Sequence, residues 1–238
     1  MSIPMRSLAR VVAVFPAVAS IGSILLVVMP TVKRVQALNC GCQSPIIIDT
    51  DGSGFQLTSA QDGVMFDIEG HGHPLKLAWT SLWSGNAFLA LDRNHNGRID
   101  NGRELFGNFT SQPKSDDPNG FLALAEFDKP ENGGNGDGVI DERDAVFTHL
   151  LLWIDKNHDG ISQPEELHTL TELGVHSLGL RYEEARRVDE YGNSFRYRGK
   201  VNPEGQSPAD HVDRLMYDVF LSYRDSEAEV VRPQNVCP

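Results

Sequence analysis

The chain has 238 residues, 40% of them apolar and 23% charged, with a formal net charge of −12. That length supports a substantial hydrophobic core, and that composition excludes a disordered chain. The acidic balance argues against nucleic acid as a partner, which would need clustered Lys and Arg, and suits cations instead.

Arg6 and Arg10 precede an uncharged apolar run from Val11 to Pro30, and Val35 with Ala37 forms a small-x-small site. Residues 1–37 therefore read as an export signal cleaved after Ala37; the length of the run also fits an uncleaved membrane anchor. Either way the remainder is exported, as a secreted, periplasmic or surface protein. Loss of residues 1–37 removes four basic residues and no acids, which takes the net charge from −12 to −16. Cys40, Cys42 and Cys237 lie at the two ends of what remains. In an oxidising compartment Cys237 could bridge to either of the others; equally, all three could belong to unbridged tails.

From there one pattern recurs: a short apolar run ends in Asp and a polar, Gly-containing loop follows. It appears at Pro45–Asp49, Gly63–Asp67, Phe88–Asp92, Leu124–Asp128 and Leu151–Asp155. Short, partly β-branched runs predict strands that feed loops. The loops after Asp92, Asp128 and Asp155 are expected to run into short helices. Asn101 with Glu104 and Ser162 with Glu165 have capping-box spacing, and Pro164 suits a first helical turn that should stop at Gly174. Residues 175–182, 194–201 and 215–223 predict strands, and Pro203 to Asp210 a loop. The expected fold class is α+β: short strands feeding EF-hand-like loops and short helices, then a C-terminal β portion. The expected organisation is a targeting segment at 1–37, a loop-bearing module at 38–182, and a β extension at 183–238 packed on the same domain.

The loop at Asp155 carries the clearest chemistry. Calcium takes six to eight hard oxygens arranged by a tight turn. Asp155, Asn157 and Asp159 supply side-chain oxygens at loop positions 1, 3 and 5, and Gly160 at position 6 permits the turn. Ile161 offers its carbonyl, and Glu166 at position 12 offers a carboxylate. The apolar residue usual at position 8 is displaced, and Ser162 stands there, which should alter pairing with a neighbouring loop. The loop at Asp92 places Asn94, Asn96, Arg98 (by its carbonyl) and Asp100 in the same order. Its closing acid comes one residue late, at Glu104. A third loop matches in its second half: Asn135, Asp137, Val139 (by its carbonyl), Asp141 and Asp144. Asp128 takes position 1 if residues 129–134 are an insertion.

Two further loops are incomplete. Asp49, Asp51 and Ser53 lead to Gly54 without a late carboxylate, and Asp67, Glu69 and His71 lead to Gly72 with a nitrogen donor where calcium takes oxygen. His71-x-His73 reads as a solvated turn rather than a zinc or copper site. His95 and His158, at loop position 4, are expected to face solvent, and Trp79, Trp83 and Trp153 to pack in the core. No Gly-x-Ser-x-Gly elbow, His-Glu-x-x-His motif or phosphate loop is present.

Pro45-Ile-Ile-Ile-Asp-Thr-Asp-Gly, the run Ala90 to Gly107 ending in Glu-Leu-Phe-Gly, Gly120 to Asp128, and Trp153 to Leu170 together resemble the calcium-dependent self-processing module of bacterial RTX-type secreted proteins, over about residues 45–182. The resemblance implies that calcium folds the module and that an Asp-Pro bond at its start then breaks through an anhydride, which a lysine amine captures. Here Pro45 matches the proline, but Ser44 stands where the aspartate is expected, and serine cannot form that anhydride. The expectation is calcium binding without catalysis; the rivals are a self-cleaving or transpeptidating enzyme and a calcium sensor for a protein partner.

Overall fold

The computed structural model describes residues 43–203, 214–224 and 230–231. The targeting segment, the three cysteines and nearly all of the Pro203–Asp210 loop lie outside the described residues. The strands are β1 (Ile46–Asp49), β2 (Val64–Phe66), β3 (Leu75–Leu77), β4 (Asn86–Leu91), β5 (Val139–Ile140), β6 (Leu150–Trp153), β7 (Leu167–Thr169), β8 (Leu178–Val188), β9 (Ser194–Val201), β10 (Arg214–Phe220), β11 (Tyr223–Arg224) and β12 (Val230–Val231). Eight form one sheet in the order β5-β8-β9-β10-β1-β4-β6-β7, and four form a smaller one, β12-β11-β3-β2. Every strand pairing is antiparallel.

The central strands are buried on both faces, which is why they read as unbroken apolar runs. Successive side chains point to opposite faces. Ile46 and Ile48 of β1, Ala87 and Leu89 of β4, and Leu150 and Leu152 of β6 enter one core with Phe121 and Leu124. Ile47, Phe88, Ala90 and Trp153 enter the other, with Trp79, Phe66 and Leu77. The rings of Phe66, Trp79, Phe88 and Trp153 meet at centroid distances of 4.4 to 5.7 Å.

The α+β expectation is overturned. Among the described residues the only α-helix is α1 (Gly120–Ala125), extended by a 3-10 turn at Glu126–Asp128. The helices expected after the loops are single 3-10 turns at Gly102–Glu104, Phe147–His149 and Pro164–Glu166. The reason is where the backbone goes next. After Glu104 the chain returns at once to β4, with Leu105 bridging Ala90 and Phe106 N–H donating to Leu89 O. After Glu166, Leu167–Thr169 pairs with β6 instead of continuing a helix to Gly174. Ladder bonds to a strand already in place satisfy those backbone groups as a helix would have done. Strand β8 runs across residue 182, and β8, β9 and β10 share a sheet with β1 and β4.

Candidate metal centre in the aspartate-led loops

Four of the five loops leave the end of a strand; the one at Asp128 follows α1. In each, the first Asp folds back on the amides of its own turn. Asp155 Oδ1 accepts from Asp159 N–H at 3.2 Å and Oδ2 from Gly160 N–H at 2.9 Å. Asp92 does the same with Asn96 and Gly97, at 3.2 and 2.8 Å. Asp128 takes Gly136 and Gly138, at 3.0 and 2.9 Å, so it stands at position 1 with residues 129–134 looped out. Gly97, Gly138 and Gly160 have φ of 79°, 85° and 74°, the left-handed turn that favours glycine.

The next side chains repeat. Asn157 Oδ1 accepts from Asp159 N–H and Asp159 Oδ1 from Ile161 N–H. Asn94 and Asn96 serve Asn96 and Arg98 likewise, and Asn135 and Asp137 serve Asp137 and Val139. The closing carboxylate then folds over the loop. Glu166 accepts from Lys156 N–H at 2.8 Å and from Gln163 N–H at 3.3 Å. Glu104 accepts from Arg93 and Asp100 N–H at 3.1 and 2.8 Å, which places the late acid of the longer loop where the ordinary acid belongs. Asp144 accepts from Asn135 and Asp141 N–H at 3.1 and 2.8 Å. All three closing acids are buried.

Three surroundings were not legible in the sequence. The indole N–H groups of Trp79 and Trp153 donate to Asp155 Oδ2 at 2.8 Å and Glu166 Oε2 at 3.3 Å, so the aromatic core touches both ends of one loop. Ser162 does not cap a helix; its buried hydroxyl accepts from Ile99 N–H at 2.7 Å and lies 3.3 Å from Ile99 O, which ties position 8 of one loop to position 8 of another. Arg143, two residues past Asp141, places its guanidinium 2.6 Å from both Asp137 and Asp141. That bond holds the Asp141 carboxyl below its usual range, whereas burial pushes Asp144 up, helped by the Asp128 and Asp141 charges. A protein cation thus already lies between two carboxylates of this loop.

The two incomplete loops keep only the first half. Asp49 caps Gly52 and Gly54 N–H, and Asp67 caps His71 and Gly72 N–H. In the Asp49 loop an amide, Asn86, receives Gln56 N–H. Two side-chain expectations are corrected. His158 does not face solvent freely: its ring nitrogens contact Thr80 O at 2.9 Å and Asp62 O at 2.8 Å. Trp83 is not core but 82% exposed, at φ 64°.

Among the described residues no three His, Cys, Asp or Glu side chains form a metal cage by themselves. Calcium does not require one, because asparagine and backbone oxygens serve equally. The residues present fit a hard cation: each of the three fuller loops gathers two or more carboxylates and at least one asparagine around a single turn. Asp155, Asn157, Asp159 and Glu166 would hold it in one, Asp92, Asn94, Asn96, Asp100 and Glu104 in another, Asp128, Asn135, Asp137, Asp141 and Asp144 in the third.

The Ser44–Pro45 bond lies apart from these loops and is buried. Ser44 N–H donates to Asn108 Oδ1 at 2.9 Å, and Asn108 N–H to Ser44 Oγ at 3.2 Å. Pro45 bridges Gly107, and a Cβ at Gly107 would fall 1.5 Å from Ser44 O, so only glycine fits there. Asp218 stands beside it, fully buried, accepting from Gly120 N–H. Its Oδ1 has no hydrogen-bond partner, and burial pushes its pKa up to about 6 against the opposing pull of the Gly120 N–H, the Ser44 hydroxyl and the Arg196 charge.

The sequence model of one family, the SPM domain, matches residues 46–221, which takes in all five loops and, apart from Tyr223, the buried residues of both cores. The chain belongs to the SPM domain family. The chain is 38% identical over 175 residues, 72% of the chain, to the iron-regulated protein FrpA of Neisseria meningitidis serogroup C. The match spans only 15% of that relative.

Proposed function

We propose that this chain is a calcium-stabilised, non-catalytic module of an exported bacterial protein, related to the self-processing modules of RTX-type proteins. The observation that carries the reading is the burial of Glu104, Asp144 and Glu166, each folded over its own loop by backbone amides. Buried negative charge is costly unless it is compensated, and a calcium ion among the loop oxygens compensates it. Export rests on the reading of residues 1–37, and no membrane attachment is needed once that segment is cleaved. The test is thermal unfolding in millimolar calcium against chelator, with a calorimetric titration for stoichiometry. An unchanged melting temperature at millimolar calcium sinks the proposal.

The rival, calcium-triggered self-processing, draws on one observation: Ser44–Pro45 is a buried bond beside a buried acid, Asp218. The carboxylate that would attack is missing from position 44. The natural chain is therefore expected to stay intact at that bond.

A further inference from the structure

The acidic loops leave the opposite balance on the β8–β9 hairpin. Residues 178–201 hold six basic side chains against four acids, in a chain of net charge −12. A groove of about 790 Å³ opens here, lined among others by Val139, Arg181, Glu183, Arg198, Lys200 and Leu215. A second groove of about 370 Å³ shares Leu215 and adds Arg187 and Arg214. The Arg187 guanidinium sits 4.3 Å over the Phe195 ring, which holds it in place.

The groove opens where, among the described residues, the sheet edge has no further strand. Strand β8 has 11 residues, but β5 pairs only with Leu178 and Gly179. Leu180 N–H still donates to Gly138 O at 3.0 Å; from 181 to 188 no described strand lies on that side. Unpaired edges accept a further strand unless charge forbids it. Here the lining is net positive: Arg181, Arg198 and Lys200 against Glu183, which pairs with Arg198. Such an edge rejects basic strands and admits acidic ones. The chain's own occupant of the edge is a short apolar strand between Asp137 and Asp141.

We propose that the β8 edge and its basic groove bind an extended acidic peptide segment of a partner protein, added as a strand in line with β5. Backbone bonds to β8 supply affinity, and Arg181 and Lys200 select carboxylates. The proposal does not rest on the calcium reading.

The test is fluorescence anisotropy of a labelled peptide of about ten residues, alternating Glu and Val, titrated with the full chain in millimolar calcium and low salt. Saturable binding is expected, weakened at least about tenfold in the Arg181→Glu/Lys200→Glu variant, whose melting temperature serves as the folding control. A probe N-methylated on alternate amides should lose binding in one frame and keep it in the other. Three results overturn the proposal: no saturable binding; an unchanged affinity in the double variant; or equal binding of both N-methylated probes together with competition by dextran sulfate, which marks a plain polyanion surface. Self-association of the chain that excludes the peptide would assign the edge to a second copy and overturn it too.

Discussion

Two carboxylates are buried in this protein on very different terms. Glu166, at the mouth of the Asp155 loop, receives N–H groups from Lys156, Asn157 and Gln163 and an indole N–H from Trp153. Asp218, on β10, receives the N–H of Gly120 at the start of α1 and leaves Oδ1 without a hydrogen bond. The difference teaches that depth alone does not decide what a buried acid does. Both oxygens of Glu166 accept from donors of its own loop and of Trp153, whereas burial, opposed by few donors, pushes the pKa of Asp218 up to about 6.

The largest test of the contrast is calcium itself. At tenfold to hundredfold excess over the dissociation constant each filled loop adds about 1.4–2.7 kcal/mol, so three loops should raise Tm by on the order of 10 °C over chelated protein. Differential scanning calorimetry reads this directly.

Next is the pH dependence of Asp218. Its folded pKa lies above its unfolded value, so its stabilising effect is complete below pH 4 and is lost as pH rises through about 6. Above that the ionised form costs on the order of 3 kcal/mol. Asp218→Asn should therefore be more stable than the natural protein at pH 7.5, and the gap should close below pH 5. Chemical denaturation of both, calcium-saturated, measures it; a gap that grows on acidification reverses the assignment.

Within the loops, Glu166→Gln should weaken calcium binding by about tenfold, roughly 1.4 kcal/mol, and Glu165→Gln should not. Asp67→Asn, in a loop without a closing acid, should leave stoichiometry unchanged by isothermal titration calorimetry. Equal effects at 165 and 166 would mean a different loop register.

The smallest expected effect is none: mass spectrometry should find no calcium-dependent fragment beginning at Pro45. Ser44→Asp would bring a second carboxyl close to Asp218, where like charges force one of the pair to stay protonated. Calcium-dependent cleavage in that variant alone would show that position 44 is the missing part.

The loops were legible because their turn geometry is written locally: oxygen side chains at alternate positions, then glycine. Even the insertion after Asp128 followed from counting back from Gly138. The strands were legible from their apolar runs. The helices were not, because Asn101 and Pro164 carry real start signals whose helices are cut short by strands distant in sequence. Nor could Trp79, 76 residues from Asp155, announce itself as that acid's donor. Ser162 was visible as a departure from pattern, and only the fold shows that its hydroxyl replaces a backbone pairing.

The two indoles that end on Asp155 and Glu166 have ring centroids 5.5 Å apart, inclined at 71°. Chromophores so close and so inclined couple optically, and both terminate on the carboxylates that would meet the ion. Trp83, 82% exposed, is open to an aqueous quencher that cannot reach them. With iodide quenching the exposed ring, the remaining tryptophan emission comes from the two buried indoles that end on the Asp155 loop. The protein thus carries an intrinsic dye at the Asp155 loop, and the calcium binding proposed for that loop would be read there separately from its neighbours without any label.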